Sequence, residues 1–277
     1  MFWKRIWPVL LLALALIGCT EGEADPVPGN SYAAEDFVVA DGFLTYDGDA
    51  PSYVGVDVSS YQGEIDWERV AEAGVDFAMV RLGFRGYTEG GLYEDDRFRE
   101  NLEGAMAAGL DVGVYFFSQA VTEEEAREEA RFVLERLEGY DITYPVVFDW
   151  ERQSASDSRT LETDGAAQTA CAAAFCQAIE EAGYLPMVYF SPSKAYTELD
   201  LAALVQWPFW LAHYTEDWQA TTFRYHFAMW QYTSEGTVDG ISTPVDLNLC
   251  LTDFLEDVSP AVSENVFGKM DENTIIV

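Results

Sequence analysis

Two carboxylates, Asp149 and Glu151, close the stretch YPVVFDWER (144–152), whose apolar part reads as a strand buried on both faces. Residues i and i+2 of a strand point to one side, about 6.5 to 7 Å apart along the chain. The two acids would therefore open into one cleft, provided strand geometry persists that far. At such range both carboxyls do not ionise freely, and one tends to keep its proton and can serve as an acid near neutral pH. Glycosidic bond hydrolysis needs that division of labour: one group protonates the leaving oxygen, another stabilises an oxocarbenium-like centre. The competing reading is plain, since acids at strand ends often cap helices or face water. Two further acids occupy similar places, Asp57 in YVGVDVSS and Asp246 after STPV.

Aromatic residues gather around these acids: Tyr61, Tyr115, Trp150, Tyr189, Trp210, Tyr214, Trp230 and Tyr232 fall at or just past predicted strand ends. Sugar rings present CH faces that pack on aromatic planes, while Tyr hydroxyls and Trp N–H groups can bond the polar rim. As a set they fit the lining of a sugar groove. For any one of them core packing is the alternative, and Trp150 is assigned to the core because it alternates away from its acidic neighbours.

Something must hold these side chains together, and the chain alternates apolar β-like runs with helical patterns. The strands expected are Tyr53–Val58, Phe77–Leu82, Val112–Phe117, Pro145–Phe148, Met187–Phe190, Phe209–Ala212, Phe227–Tyr232 and a short one near Val245. Helical stretches fill the first gaps: DWERVAEAG, DDRFRENLEGAMAAG, TEEEAREEARFVLERLEG and GAAQTACAAAFCQAIEEAG. Thr122 and Glu125 have capping-box spacing, and Gly closes helical stretches ahead of the next strand. From about residue 205 the strands leave little room for helices. The expectation is an α/β fold, a parallel (β/α) barrel whose last strands are joined by loops. In such barrels chemistry sits at the C-terminal ends of the strands, where the acids fall.

Composition narrows the functional classes. The 277 residues are 49% hydrophobic, enough for a sizeable core, and carry 49 acidic against 15 basic side chains, a formal charge of -34. Nucleic acid is excluded as a partner, because its binding needs a basic face. No metal or cofactor is expected, since there are two histidines, His213 and His226, and no Cys-x-x-Cys pair. Neither a Gly-x-Ser-x-Gly elbow nor a P-loop ending is present, and GFRGYTEGG (83–91) reads as a strand-end loop lining the groove. Cys171 and Cys176 lie about 140° apart around a helix, poorly placed to bond each other, so small buried apolar roles are expected. A disulfide from Cys250 to one of them stays open.

The N-terminus places Lys4 and Arg5 before an apolar run, Val9 to Ile17, which is an export layout too short for a comfortable membrane span. Leu16-Ile17-Gly18-Cys19 resembles a bacterial lipobox, with Cys19 as the lipidation site and new N-terminus. The domain reading is therefore a signal peptide over 1–19, a linker and N-terminal extension over 20–50, a catalytic barrel over 51–257 and a C-terminal tail over 258–277. The protein would act outside the cytoplasm, held at the membrane through Cys19 or secreted if Cys19 is not lipidated. A monomer is the default.

The segments GVDVSSYQGEIDW, DRFRENLEGAMAAGLDVGVYFF, PVVFDWE, MVYFSP, FWLAHY, MWQYTSEGTVDGI and VDLN occur in an order that resembles glycoside hydrolase family 25, the Chalaropsis-type lysozymes. The resemblance runs from about Tyr53 to Asn248. It implies a single flattened TIM-like (β/α)5(β)3 barrel and cleavage of the β-1,4 bond after N-acetylmuramic acid in peptidoglycan. It further implies Glu151 as general acid/base and Asp149 as the partner that polarises the substrate's own 2-acetamido group, a substrate-assisted retaining route. Asp57 and Asp246 match the family's two further acids. Tyr61, Tyr115, Tyr189, Trp210, Tyr214, Trp230 and Gln231 would then bind substrate, with peptidoglycan glycan strands as the partner. One departure stands out: many relatives read YHF where this chain reads YFF with Phe116. Because Phe116 and Tyr115 alternate, the change is expected to touch packing rather than the cleft. The alternative function is a non-catalytic cell-wall-binding lipoprotein or scaffold.

Overall fold

A computed structural model describes residues 25–257. Residues 1–19, expected as a signal peptide ending at Cys19, and the expected tail over 258–277 lie outside the described residues. In chain order the elements begin with β1 (Phe37–Ala40), β2 (Phe43–Tyr46), β3 (Tyr53–Val58), α1 (Trp67–Glu72), β4 (Phe77–Arg85) and β5 (Leu92–Glu94). There follow α2 (Phe98–Ala107), β6 (Asp111–Ser118), α3 (Glu123–Leu137), β7 (Val146–Trp150), α4 (Gly165–Glu181) and β8 (Pro186–Phe190). The chain continues with α5 (Pro192–Thr197), α6 (Leu201–Leu204), β9 (Phe209–Ala212), β10 (Met229–Gly236), β11 (Val245–Cys250) and α7 (Phe254–Asp257).

Eight strands close into one barrel in the order β3-β4-β6-β7-β8-β9-β10-β11, with β11 returning to β3. Each of the eight expected strands is one of these. The apolar runs of β4 and β7 are buried on both faces, inward by the barrel interior and outward by α2, α3 and α4. The expected parallel pairing holds from β3 through β10, and β11 departs from it, running antiparallel to both β10 and β3. The reason is length, because residues 237–244 are too few for the crossover that a parallel neighbour demands.

Helix boundaries follow local chemistry. The Thr122 hydroxyl accepts the Glu125 N–H at the start of α3. The Glu125 carboxylate does not complete a capping box; it accepts the Val121 N–H and pairs with Arg159 instead. Gly109, at φ 84°, turns the chain from α2 into β6 in a conformation other residues rarely adopt. Cys171, Cys176 and Cys250 are buried free thiols.

Among the described residues no α-helix lies between β9 and β10 or between β10 and β11, and the N-terminal extension packs on the outer face of these last strands. The β1–β2 hairpin lays Phe37 edge-on against Trp230, with centroids 5.4 Å apart. Leu44 donates its N–H to the Tyr232 hydroxyl, and Tyr32 donates its own hydroxyl to the Phe227 carbonyl. Phe43, Leu44 and Tyr46 are buried in this layer, while Val27 is buried beside Ala195, Leu199 and Leu201. The described part of the segment read as linker and extension is therefore packed cover for the barrel rather than free tether.

Inside the barrel a separate apolar cluster, including Phe77, Met79, Tyr144, Val147, Met187 and Met229, fills the end where the parallel strands begin. Phe254 of α7 packs edge-on against Tyr144 and closes that floor. The opposite end is left open for polar side chains.

Candidate active site

At the C-terminal ends of the parallel strands lies a cavity of about 260 Å³ into which Asp57, Asp149, Glu151 and Asp246 all open. Asp149 is the penultimate residue of β7 and only 7% exposed, whereas Glu151, one residue past the strand, stands exposed at the rim. Asp57 and Asp246 face each other directly across the β3–β11 ladder. Two like charges at that spacing repel, so the pair exists only if protons or donors compensate.

A hydrogen-bond network supplies those donors to Asp57. The Tyr189 and Tyr214 hydroxyls both donate to Gln231 Oε1, at 2.9 and 2.8 Å, which turns the Gln231 amide nitrogen towards Asp57 Oδ2 at 2.9 Å. Trp210 Nε1 donates to Asn248 Oδ1 at 2.9 Å, which likewise aims Asn248 Nδ2 at Asp57 Oδ2, 2.7 Å away. Each amide is oriented by what its oxygen accepts, so the donors to Asp57 are fixed before any ligand arrives. On the β7 side Gln119 Nε2 donates to the Glu151 carbonyl, and Trp150 Nε1 donates to the Ala120 carbonyl. Asp149 differs: its Oδ1 is buried with no hydrogen-bond partner among the described residues.

Burial governs the protonation of all four acids. It pushes Asp57 up to about 6, against the opposing hydrogen bonds from Asn248 and Gln231. Asp246 rises to about 8 through burial and the nearby Asp57 charge. Asp149 is held well above the usual carboxylate range by burial and by Glu151. Glu151 is raised because the surrounding protein strips part of its hydration even at the rim, and Lys194 opposes that rise. The site is thus a set of carboxyls that must share protons near neutral pH.

Of the residues singled out in the sequence, Tyr61, Tyr115, Tyr189, Trp210, Tyr214 and Gln231 line this cavity with the four acids. Trp230 does not. It is fully buried on the outer side of the barrel, where its Nε1 donates to the His213 carbonyl, and Tyr232 points the same way. Alternation explains both, since Gln231 between them points inward. Trp150 is buried as expected, and Phe116 packs against Phe132 outside the cleft. His213 bonds Thr221 through Nδ1.

Sequence reasoning missed several contributors. Arg81 lines the cavity and pairs with Asp95 at 2.6 Å, and its position inside the apolar run FAMVRLGF was the available signal. Ser59, Gln62 and Phe117 also line it. Lys194, in the first turn of α5, holds its ammonium 4.4 Å from the Trp150 ring centroid and shares a neighbouring hollow of about 270 Å³ with Glu151. Nothing in its helical context marked it.

The model of glycosyl hydrolases family 25 matches residues 56–241. YegX of Escherichia coli strain K12, an uncharacterised protein, is 29% identical over 200 residues, covering 70% of this chain and 68% of YegX. Lysozyme M1 of Streptomyces globisporus is 28% identical over 222 residues, covering 72% of this chain and 68% of its own. Among solved structures, the modular autolysin LytC from Streptococcus pneumoniae is similar with a TM-score of 0.64 and 25% identity, over 77% of this chain and 51% of LytC.

Proposed function

The chain belongs to glycosyl hydrolases family 25, and from that premise we propose that this glycoside hydrolase is a muramidase. It acts on peptidoglycan and cuts the β-1,4 bond between N-acetylmuramic acid and N-acetylglucosamine. The observation that carries the reading is the convergence of Asp149 and Glu151 on one cavity with Asp57 and Asp246.

Glu151 is the general acid. Exposed at the rim and with its pKa raised, it can hold a proton and reach the glycosidic oxygen of a strand lying across the mouth. Asp149 lies deeper, with an oxygen that finds no donor among the described residues. The N–H of a 2-acetamido group would supply that donor, and hydrogen bonding to the charged form lowers a carboxyl pKa. Substrate binding therefore favours ionised Asp149 and leaves the shared proton on Glu151. As Glu151 protonates the leaving oxygen, the acetamido oxygen attacks the anomeric carbon and the bond to the leaving sugar breaks. The resulting oxazolinium ion is opened by water, whose proton returns to Glu151, so configuration is retained. Asp57 and Asp246 are supporting acids that hold the electrostatics of the opposite wall. Tyr61, Tyr115, Tyr189, Trp210, Tyr214 and Gln231 line the sugar site.

The same reading places the protein outside the cytoplasm, anchored at the membrane through Cys19 and acting as a monomer. Digestion of purified peptidoglycan by the chain from residue 20 onward, with mass spectrometry of the reducing ends, tests the function. Fragments ending in reducing N-acetylmuramic acid, absent with Glu151→Gln, are the expected result. Reducing N-acetylglucosamine ends would keep the enzyme and remove the assigned bond. Intact glycan with measurable wall binding would favour the non-catalytic scaffold.

A further inference from the structure

Beside the catalytic cavity, over β4, β5 and residues 83–91, runs a groove of about 790 Å³, some three times larger, and the two share Tyr61, Arg81 and Phe117 as a common wall. Five tyrosines among the described residues are exposed by more than a third, and four of them line the cavity or this groove: Tyr61 at 79%, Tyr87 at 46%, Tyr93 at 52% and Tyr214 at 52%. A folded chain seldom leaves such rings bare in one place without a ligand to cover them.

The planar groups form a row that leads into the site. Tyr93 stacks on Phe84 with centroids 5.4 Å apart and planes 28° apart. The Arg81 guanidinium lies 5.6 Å from the Phe84 ring and 5.0 Å from the Tyr61 ring. Tyr87 sits on the facing loop, which is held from beneath by a buried cation. Arg85, 4% exposed, donates Nη1 to the Gly90 carbonyl at 2.8 Å and pairs with Glu129 and Glu128. The Arg159 N–H bonds the Tyr87 carbonyl, and Gly90 passes so close over the Arg159 guanidinium that a Cβ there would collide with it. The groove is therefore built in advance of any ligand, which reduces the entropy lost on binding.

Its charge selects the occupant. Arg81 is neutralised by Asp95 and Arg85 by two glutamates, while Glu89 and Asp96 also line the groove. Such a surface disfavours the carboxylates of peptide stems and suits uncharged N-acetylated sugar rings with stacking faces. Polarity follows from the acid. Glu151 must stand beside the leaving sugar, and it opens on the hollow lined by Trp150, Ser191 and Lys194, on the β7–β8 side away from this groove. We infer that the groove over β4 and β5 binds the glycan strand on the glycone side of the scissile bond, with Tyr87 and Tyr93 stacking on successive sugars. The inference rests on the muramidase reading.

The test uses peptide-free oligomers of the alternating glycan, labelled at the reducing end and graded in length, with the wild-type chain and the Tyr87→Ala/Tyr93→Ala double variant. In the wild type kcat/KM should climb as sugars are added on the non-reducing side. The double variant should lose that climb, by roughly ten- to a hundredfold on long oligomers, with the deficit shrinking as they shorten. An equal loss at every length, or none, overturns the inference. A deficit seen only on peptide-bearing strands would give the groove to peptide stems and overturns it as well. Calorimetric binding in the Glu151→Gln background separates this from the parent reading. There the tyrosine pair must weaken affinity in the same length-dependent way, even if wild-type turnover is absent and the muramidase assignment falls.

Discussion

The two ends of the barrel interior are built by the same strands and have opposite characters. On β7, Val147 faces the floor and Asp149 the mouth; on β8, Met187 and Tyr189; on β10, Met229 and Gln231. One step of two residues along each strand changes an apolar side chain into a polar one. At the floor Phe77 stacks on Tyr144 with centroids 4.7 Å apart, and both are buried. At the mouth four acids are raised by burial, and Asp149 Oδ1 has no hydrogen-bond partner among the described residues. The floor supplies stability and the mouth draws on it, because isolated buried carboxyls destabilise a fold unless they protonate or find donors.

The sharpest way to break this division is a pair of variants with opposite profiles. Glu151→Gln should lower turnover on peptidoglycan by roughly 10² to 10⁴, since it removes the acid and leaves the groove. Its urea midpoint should not fall. Phe77→Ala should lower stability by about 3 to 5 kcal/mol, through lost burial and the cavity left behind. Whatever fraction stays folded should still cut the same bond. A large stability loss in the first variant, or a changed product in the second, would mean that floor and mouth are coupled.

A smaller effect tests the charge at the mouth. With Asp57 pushed up to about 6 and Asp246 to about 8, the folded chain binds more protons than the unfolded chain between about pH 4 and pH 8. Their contribution to stability therefore declines as pH rises through that window. Asp246→Asn removes one of the two groups, so it should flatten the decline and stabilise the protein by about 1 to 2 kcal/mol at pH 8, with little change at pH 4. Urea melts at both pH values decide. An unchanged slope would mean that water reaches Asp246 well enough to erase the effect.

The same division explains what was legible in the sequence. Apolar strand runs and Gly stops announce the barrel because they act locally, and the acids were visible because a charged residue at the end of an apolar run is conspicuous. Trp230 sits at a strand end like the lining residues, yet alternation with the inward-facing Gln231 turns it to the outer side of the barrel. The antiparallel β11 was legible too, in the shortness of residues 237–244. The N-terminal cover was not, since Phe43, Leu44 and Tyr46 acquire their role only against the outer face of the last strands. Asn248 and Lys194 were hidden for a related reason: their work is to orient or balance a carboxyl that is distant in sequence.

Lys194 gives the finest test of how the mouth is balanced. Its ammonium opposes the rise of both Asp149 and Glu151, and burial lowers its own pKa to about 8. Asp57 raises Asp149 and Arg81 lowers it from the other wall, while Glu198 faces Lys194 from beyond α5. Removing the cation with Lys194→Met should raise the pKa of both acids. Both limbs of the kcat/KM profile should then move to higher pH, by about half to one unit, with a change of only a few fold at the optimum. Lys194→Arg keeps a charge that does not titrate, so its acidic limb should stay where the wild type has it. Coincident limbs in all three proteins would mean that solvent screens Lys194 from the pair, and that the carboxyls at the mouth are balanced by their own shared protons.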